Sequence, residues 1–193
     1  NKFIQAFQLV VPMHHSYVII TALAGELDPS KIPEDIPIVY SGVGKVNATI
    51  ATLEAIQKFK PKTIINFGTV GKINPELQGL LRIKKVLQRD MQTEPLAPRG
   101  TTPFCKKPSE YFSETGIYTC GTGDSFVTSQ DNWLIQQQVD VVDMELFAIA
   151  AVANHHQIPW LSFKYITDDA NEDSGDHWQE KMNAGEQLFL EEL

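Results

Sequence analysis

The chain has 193 residues, 42% apolar and 21% charged, a composition that suits one soluble domain over residues 1–193 and excludes a disordered or fibrous chain. Its 16 Lys and Arg against 24 Asp and Glu leave a net charge of −8, which would repel a phosphate backbone, so no nucleic-acid partner is expected. The longest apolar stretches, such as Leu146 to Ala153, fall well short of the roughly 20 residues that cross a bilayer, so no membrane partner is expected either.

In chain order, Asn1 to Gln8 carries no sustained apolar run ending in a small-residue cleavage site, so secretion is not expected. Only Cys105 and Cys120 are present, without CxxC spacing, which argues against a disulfide framework or thiolate zinc site and for a reducing cytoplasm. Ile36 to Tyr40 reads as a strand that turns through Ser41 to Gly44 into a helix with Val46, Ile50, Leu53 and Ile56 at helical spacing. Pro61 ends that helix. Thr63 to Phe67 reads as a buried strand closed by a glycine turn, Gly68 to Gly71.

A strand-like stretch follows at Leu80 to Leu87, then a proline-bearing surface loop or flap at Gln92 to Ser109, then a strand-to-glycine turn at Ile117 to Gly123. Val139 to Val142 precedes a helix with Phe147, Ala148, Ala151, Val152 and His155 on one face, and Pro159 to Ile166 reads as the next strand, giving a second βαβ unit. A last helix places Trp178, Met182, Gly185 and Phe189 on one side. The expected fold is α/β, a three-layer α/β/α sandwich around a central mixed, largely parallel sheet.

Open α/β sheets bind ligands at the carboxyl ends of their strands, so the polar residues after each strand carry the candidate chemistry. Gly42-Val43-Gly44-Lys45-Val46-Asn47 begins like a dinucleotide fingerprint, but Asn47 stands where the third glycine belongs, and no Walker spacing exists. Asp143 suits a helix cap, whereas Glu145 could also chelate a sugar diol. Asp168 and Asp169 follow an apolar run, where partial desolvation and a neighbouring like charge favour a proton-holding general acid; turn chemistry is the plain alternative. Asp169 to Glu180 imitates a calcium loop, flawed by Ser174 where the sharp turn needs glycine. The adjacent pairs His14-His15 and His155-His156 do not converge on a metal, and no metal site is expected.

Five stretches in one order resemble the purine nucleoside phosphorylase superfamily, most closely the methylthioadenosine/S-adenosylhomocysteine nucleosidases: residues 41–48, 65–71, 121–127, Val142-Asp143-Met144-Glu145, and Ile166-Thr167-Asp168. The resemblance implies cofactor-free cleavage of the bond between a purine and ribose. By it, Asp168 donates a proton to the departing base and Glu145 holds the ribose hydroxyls. Phe126 stacks on the purine, the Val127 backbone reads its edge, Met144 packs on the ribose, and Thr69 and Gly71 line the sugar side. The small-molecule partner is a purine nucleoside, and a homodimer is implied. Phosphorylases of this superfamily carry an Arg before the glycine turn, where this chain reads Asn66-Phe67-Gly68-Thr69, so water is the expected nucleophile rather than phosphate. The nucleosidases activate water with a Glu after the first strand; Ser16 aligns best with it, leaving His14, His15 or a carboxylate such as Glu26 to substitute, or a nucleoside-binding protein with little turnover.

Overall fold

The computed structural model of the chain describes residues 14–168 and 178–193, without the side chains of Asp168 and of residues 178–182. Strand β1 (Tyr17–Thr21) is a run of β-branched and aromatic residues, buried from Val18 onward. It pairs in parallel with β2 (Ile38–Tyr40) on one side and β3 (Thr63–Lys72) on the other. Helix α1 (Lys45–Phe59) connects β2 to β3, so the first expected βαβ unit is present, with β1 between its two strands. Lys60 closes the helix in the left-handed region (φ 47°), its N–H donating to Ile56 O at 3.0 Å, directly before Pro61.

The buried face of α1 differs from the expected one. Ala48, Ala51, Thr52, Ala55 and Ile56 face inward, whereas Val46 is 70% and Ile50 52% exposed. The inner residues are small because α1 packs closely on another helix, α3 (Leu146–His155). Thr52 can be buried because its hydroxyl donates to Ala48 O at 2.7 Å.

The rest of the sheet consists of β4 (Leu80–Gln88), β5 (Glu110–Phe112), β6 (Tyr118–Thr122), β7 (Val141–Asp143) and β8 (Trp160–Asp168). Five pairings are parallel, β1–β2, β1–β3, β3–β8, β4–β6 and β6–β7, and three are antiparallel, β3–β7, β4–β5 and β4–β8. Because β8 pairs with both β3 and β4, and β7 returns to β3, strands β3, β8, β4, β6 and β7 close a ring. The second expected βαβ unit is not a parallel one: β7 runs antiparallel to β3 and β8 parallel to it, so α3 joins opposed strands. Nor is Gly68 to Gly71 a turn, for β3 continues through it to Lys72.

One core cluster lies under α1 and α3, and a second lies under α4 (Trp178–Leu190), which gives the three layers of an α/β/α fold. In the second, Phe189 stacks on Phe67 with centroids 4.5 Å apart and tilts against Phe163. Burying side chains of this size is worth about 1.5–3 kcal/mol each. Gly185 lets α4 lie against β8, since a Cβ there would come within 2.7 Å of the Tyr165 ring. A short helix, α2 (Asn132–Gln136), seats Leu134 in a third cluster with Leu87, Val139 and Val142. Among the described residues no helix is long and apolar enough to cross a membrane.

Candidate active site

A cavity of about 530 Å³ gathers residues that follow β1, β2, β6 and β7 together with the middle of β3 and the end of β8. Its walls include Thr69, Gly71, Phe126, Val127, Met144 and Glu145, so six positions singled out from the sequence share one space. Asp168 closes β8 opposite Gly71 in the register, and its neighbour Thr167 lines the same cavity; the Asp168 side chain lies outside the described residues. Phe126 is 84% exposed and stands at the mouth.

Glu26, one of the groups the sequence offered as a substitute for the missing loop carboxylate, lies in the loop after β1. The first described strand starts at Tyr17, so Ser16 precedes it, and the loop at its carboxyl end is Ala22 to Leu27. Glu26 is buried there and opens on the cavity. Its Oε2 accepts from Thr21 Oγ1 (2.9 Å), Ala22 N (3.1 Å) and Leu23 N (2.9 Å), and its Oε1 from Thr69 N and Oγ1 (both 3.1 Å). These donors fix the carboxylate's direction. The signal was in the sequence: Tyr-Val-Ile-Ile-Thr is a strand by its β-branched content.

Gly68 lies beneath the carboxylate. A Cβ added at this glycine would stand 3.3 Å from Lys164 Nζ and 3.7 Å from Glu26 Oε1, so its missing side chain gives β3 room for an ammonium and a carboxylate. Lys164 is almost wholly buried on β8, and its Nζ donates to Asp143 Oδ2 at 2.8 Å. Asp143 also accepts from Thr122 Oγ1 (2.5 Å) and Leu146 N (2.8 Å), so it satisfies the first N–H of α3 from two residues before the cap position, Glu145.

Glu145 makes no capping bond and turns into the cavity instead. Its Oε1 accepts from Gly44 N and its Oε2 from Met144 N, both at 3.2 Å. Gly44 reaches that position at φ 96°, a conformation costly for any other residue. Burial pushes the Glu145 carboxyl up to about 7, with Asp143 and Glu26 adding to the rise and Lys164 and the Gly44 amide opposing it.

The remaining candidates lie elsewhere. His15, two residues before β1, meets Phe59 edge-on, with Nδ1 3.0 Å from Asp35 O, and His155 and His156 meet at the end of α3. Asp169 and most of the calcium-like loop fall outside the described residues, and among the described ones no cluster of three His, Cys, Asp or Glu could hold a metal ion. Phe67, at the position where a phosphate-binding Arg was sought, is buried against Phe189. Arg89 does reach the cavity wall, but it donates to Gly121 O (3.2 Å), Gly123 O (3.0 Å), Ser125 Oγ (3.1 Å) and Ser125 O.

A family model of the phosphorylase superfamily matches residues 31–191. Among curated relatives, the 5′-methylthioadenosine/S-adenosylhomocysteine nucleosidase of Staphylococcus haemolyticus is 30% identical over 162 residues, which span 72% of this chain and 70% of the relative. Among solved structures, a mutant Helicobacter pylori MTAN with 5′-methylthioadenosine in its active site has a TM-score of 0.82 at 19% identity, covering 94% of this chain and 100% of that one. The futalosine hydrolase of Helicobacter pylori has a TM-score of 0.77 at 20% identity, covering 92% and 97%. Those two likenesses are of fold. The superfamily match and the Staphylococcus haemolyticus relative together carry the assignment: the chain belongs to the phosphorylase superfamily and, within it, to the 5′-methylthioadenosine/S-adenosylhomocysteine nucleosidases.

Proposed function

We propose that this nucleosidase hydrolyses the N-glycosidic bond of a 5′-thio-substituted adenosine, acting as a single-domain, cofactor-free enzyme in the cytoplasm. The observation that carries the reading is the meeting of Glu26, Glu145 and the β8 strand end bearing Asp168 around one cavity of nucleoside size. Glu145 accepts the ribose hydroxyls, Met144 packs on the sugar, and Thr69 and Gly71 line its other side. Phe126 stacks on the purine and the Val127 backbone reads its edge.

As the glycosidic bond breaks, positive charge grows on the sugar and negative charge on the base. Asp168 gives its proton to the base nitrogen, Glu26 takes one from the attacking water, and the hydroxide equivalent bonds to C1′. Proton exchange with solvent returns both carboxyls to their starting states. Glu26 removes the reason for reading the chain as a binding protein without turnover, since a carboxylate does occupy the loop after β1. Water suits this site better than phosphate. Two carboxylates on the cavity wall repel an anion, Phe67 supplies no cation, and Arg89 spends its donors on the 121–125 segment.

The enzyme is a homodimer in this reading. Val43, Val46 and Ile50 form an exposed apolar strip beside the cavity mouth, and a second copy of the chain would cover it. Both cysteines are free thiols, which suits a reducing compartment. Incubation with 5′-methylthioadenosine, with and without inorganic phosphate, tests the reaction: adenine is released at the same rate in both. Strict dependence on phosphate, or release of 5-methylthioribose 1-phosphate, overturns it.

A further inference from the structure

The mechanism leaves unused a buried guanidinium. Arg89 follows β4, is 4% exposed, and gives every hydrogen bond described for its side chain to the segment that leads from β6 to Phe126. Its Nε holds Gly121 O, its Nη2 holds Gly123 O and Ser125 O, and its Nη1 holds Ser125 Oγ. The glycines of the Gly-Thr-Gly-Asp-Ser stretch are shaped around it. A Cβ at Gly123 would stand 3.0 Å from Arg89 Cγ and Cζ, and one at Gly121 3.6 Å from Arg89 Cδ.

The next residue fastens the same segment from outside. Asp90 Oδ2 accepts from Asp124 N (2.8 Å), while its Oδ1 accepts from Lys45 Nζ (2.7 Å). The Arg89 backbone is held in turn, because Arg99 Nε donates to Arg89 O (2.7 Å) and the Arg99 guanidinium clasps Asp131, the cap of α2. Arg89 and Asp90 thus bracket the segment before Phe126, and Arg99, within the stretch read from sequence as a flap, braces that bracket from behind.

We propose that Arg89 is the positioning residue for the purine: by holding the carbonyls of Gly121, Gly123 and Ser125 it sets the pose in which Phe126 and Val127 meet the base. A planar fork with five donors in fixed directions can satisfy four acceptors along one turn, which an ammonium cannot. Ordering that turn before substrate arrives spares its entropy at binding, so Arg89 acts on affinity for the base rather than on bond cleavage. This inference rests on the assignment of Phe126 and Val127 to the base.

The test uses the full-length enzyme and the variants Arg89→Met, Arg89→Lys and Gly123→Ala, with 5′-methylthioadenosine kinetics and calorimetric titration of free adenine. In Arg89→Met, KM and the adenine Kd rise about ten- to a hundred-fold while kcat stays within about three-fold. Arg89→Lys recovers part of the loss. Gly123→Ala, which crowds the guanidinium without removing it, shows the same selective rise and serves where Arg89→Met does not fold. A role in folding alone would lower the amount of active enzyme, and so kcat, and leave KM and the adenine Kd unmoved. Folded Arg89→Lys and Gly123→Ala enzymes with KM and adenine Kd within about two-fold of the parent overturn the proposal. A parent enzyme that releases no base from any purine nucleoside overturns the functional reading itself.

Discussion

Lys164 Nζ donates to Asp143 Oδ2 at 2.8 Å beneath the cavity, and the two side chains form an ion pair almost closed to water. Burial disfavours the Asp143 anion, yet Lys164 and the bonds from Thr122 and Leu146 hold its carboxyl below the usual value; burial likewise opposes the Lys164 cation, and Asp143 holds it above its usual value. Both partners are therefore charged. Removing one leaves the other buried and uncompensated, so Lys164→Met costs about 3–5 kcal/mol of stability. Asp143→Asn in the same background restores part of it. The Asp143 contribution is present above the ordinary carboxylate range and is lost as pH falls through its lowered value. Urea unfolding at pH 7.5 measures the costs, and a Lys164→Met protein as stable as the parent would show that the pair does not stabilise the fold.

Glu145 behaves in the opposite sense. Its folded pKa, about 7, lies above the ordinary 4.5, so ionising it opposes folding; that cost is fully present above about pH 7 and gone below about 4.5. The difference corresponds to about 3 kcal/mol. Glu145→Gln accordingly melts higher than the parent at pH 8 and like it at pH 4.5, while ribose binding weakens. In the parent, with Glu145 as the proposed diol acceptor, kcat/KM falls on the acid side of about pH 7 as its carboxylate takes up a proton. Thermal melts at the two pH values and a pH–rate profile read both effects; a stability difference independent of pH contradicts the assignment.

Glu26→Gln keeps hydrogen-bonding capacity but loses the proposed base, and kcat falls about 100- to 10,000-fold with KM little changed. Steady-state kinetics over a range of 5′-methylthioadenosine concentrations measure both. Wild-type turnover in the variant would return water activation to another group.

Asp168→Asn removes the proposed proton donor and lowers turnover over a similar range, about 100- to 10,000-fold, while adenine still binds in calorimetry. Rates near those of the parent would take Asp168 out of the mechanism.

Val46→Glu with Ile50→Glu places two carboxylates on the exposed strip of α1, where a second copy of the chain would have to desolvate them. The parent sediments as a dimer and the double variant as a monomer. A parent that sediments as a monomer removes the homodimer.

The sequence by itself determined the elements whose residue pattern is local: the parallel β2–α1–β3 unit, β4, β6 and β8 nearly to their ends, and the positions of Phe126, Met144 and Glu145 beyond strand ends. Period, glycine and proline placement, and the preference of ligands for strand ends are readable one segment at a time. Which face of α1 is buried was not readable, because Ala48, Ala51 and Ala55 win the interior only through the close approach of α3, and no pattern within α1 announces that neighbour. Gly68 looked like a turn for the same reason: its glycine answers to Lys164 and Glu26, which lie far away in the chain. Only the tertiary structure brought Glu26 beside Thr69 and turned Glu145 away from capping toward the cavity, since the direction of a buried carboxylate is set by donors from several strands at once.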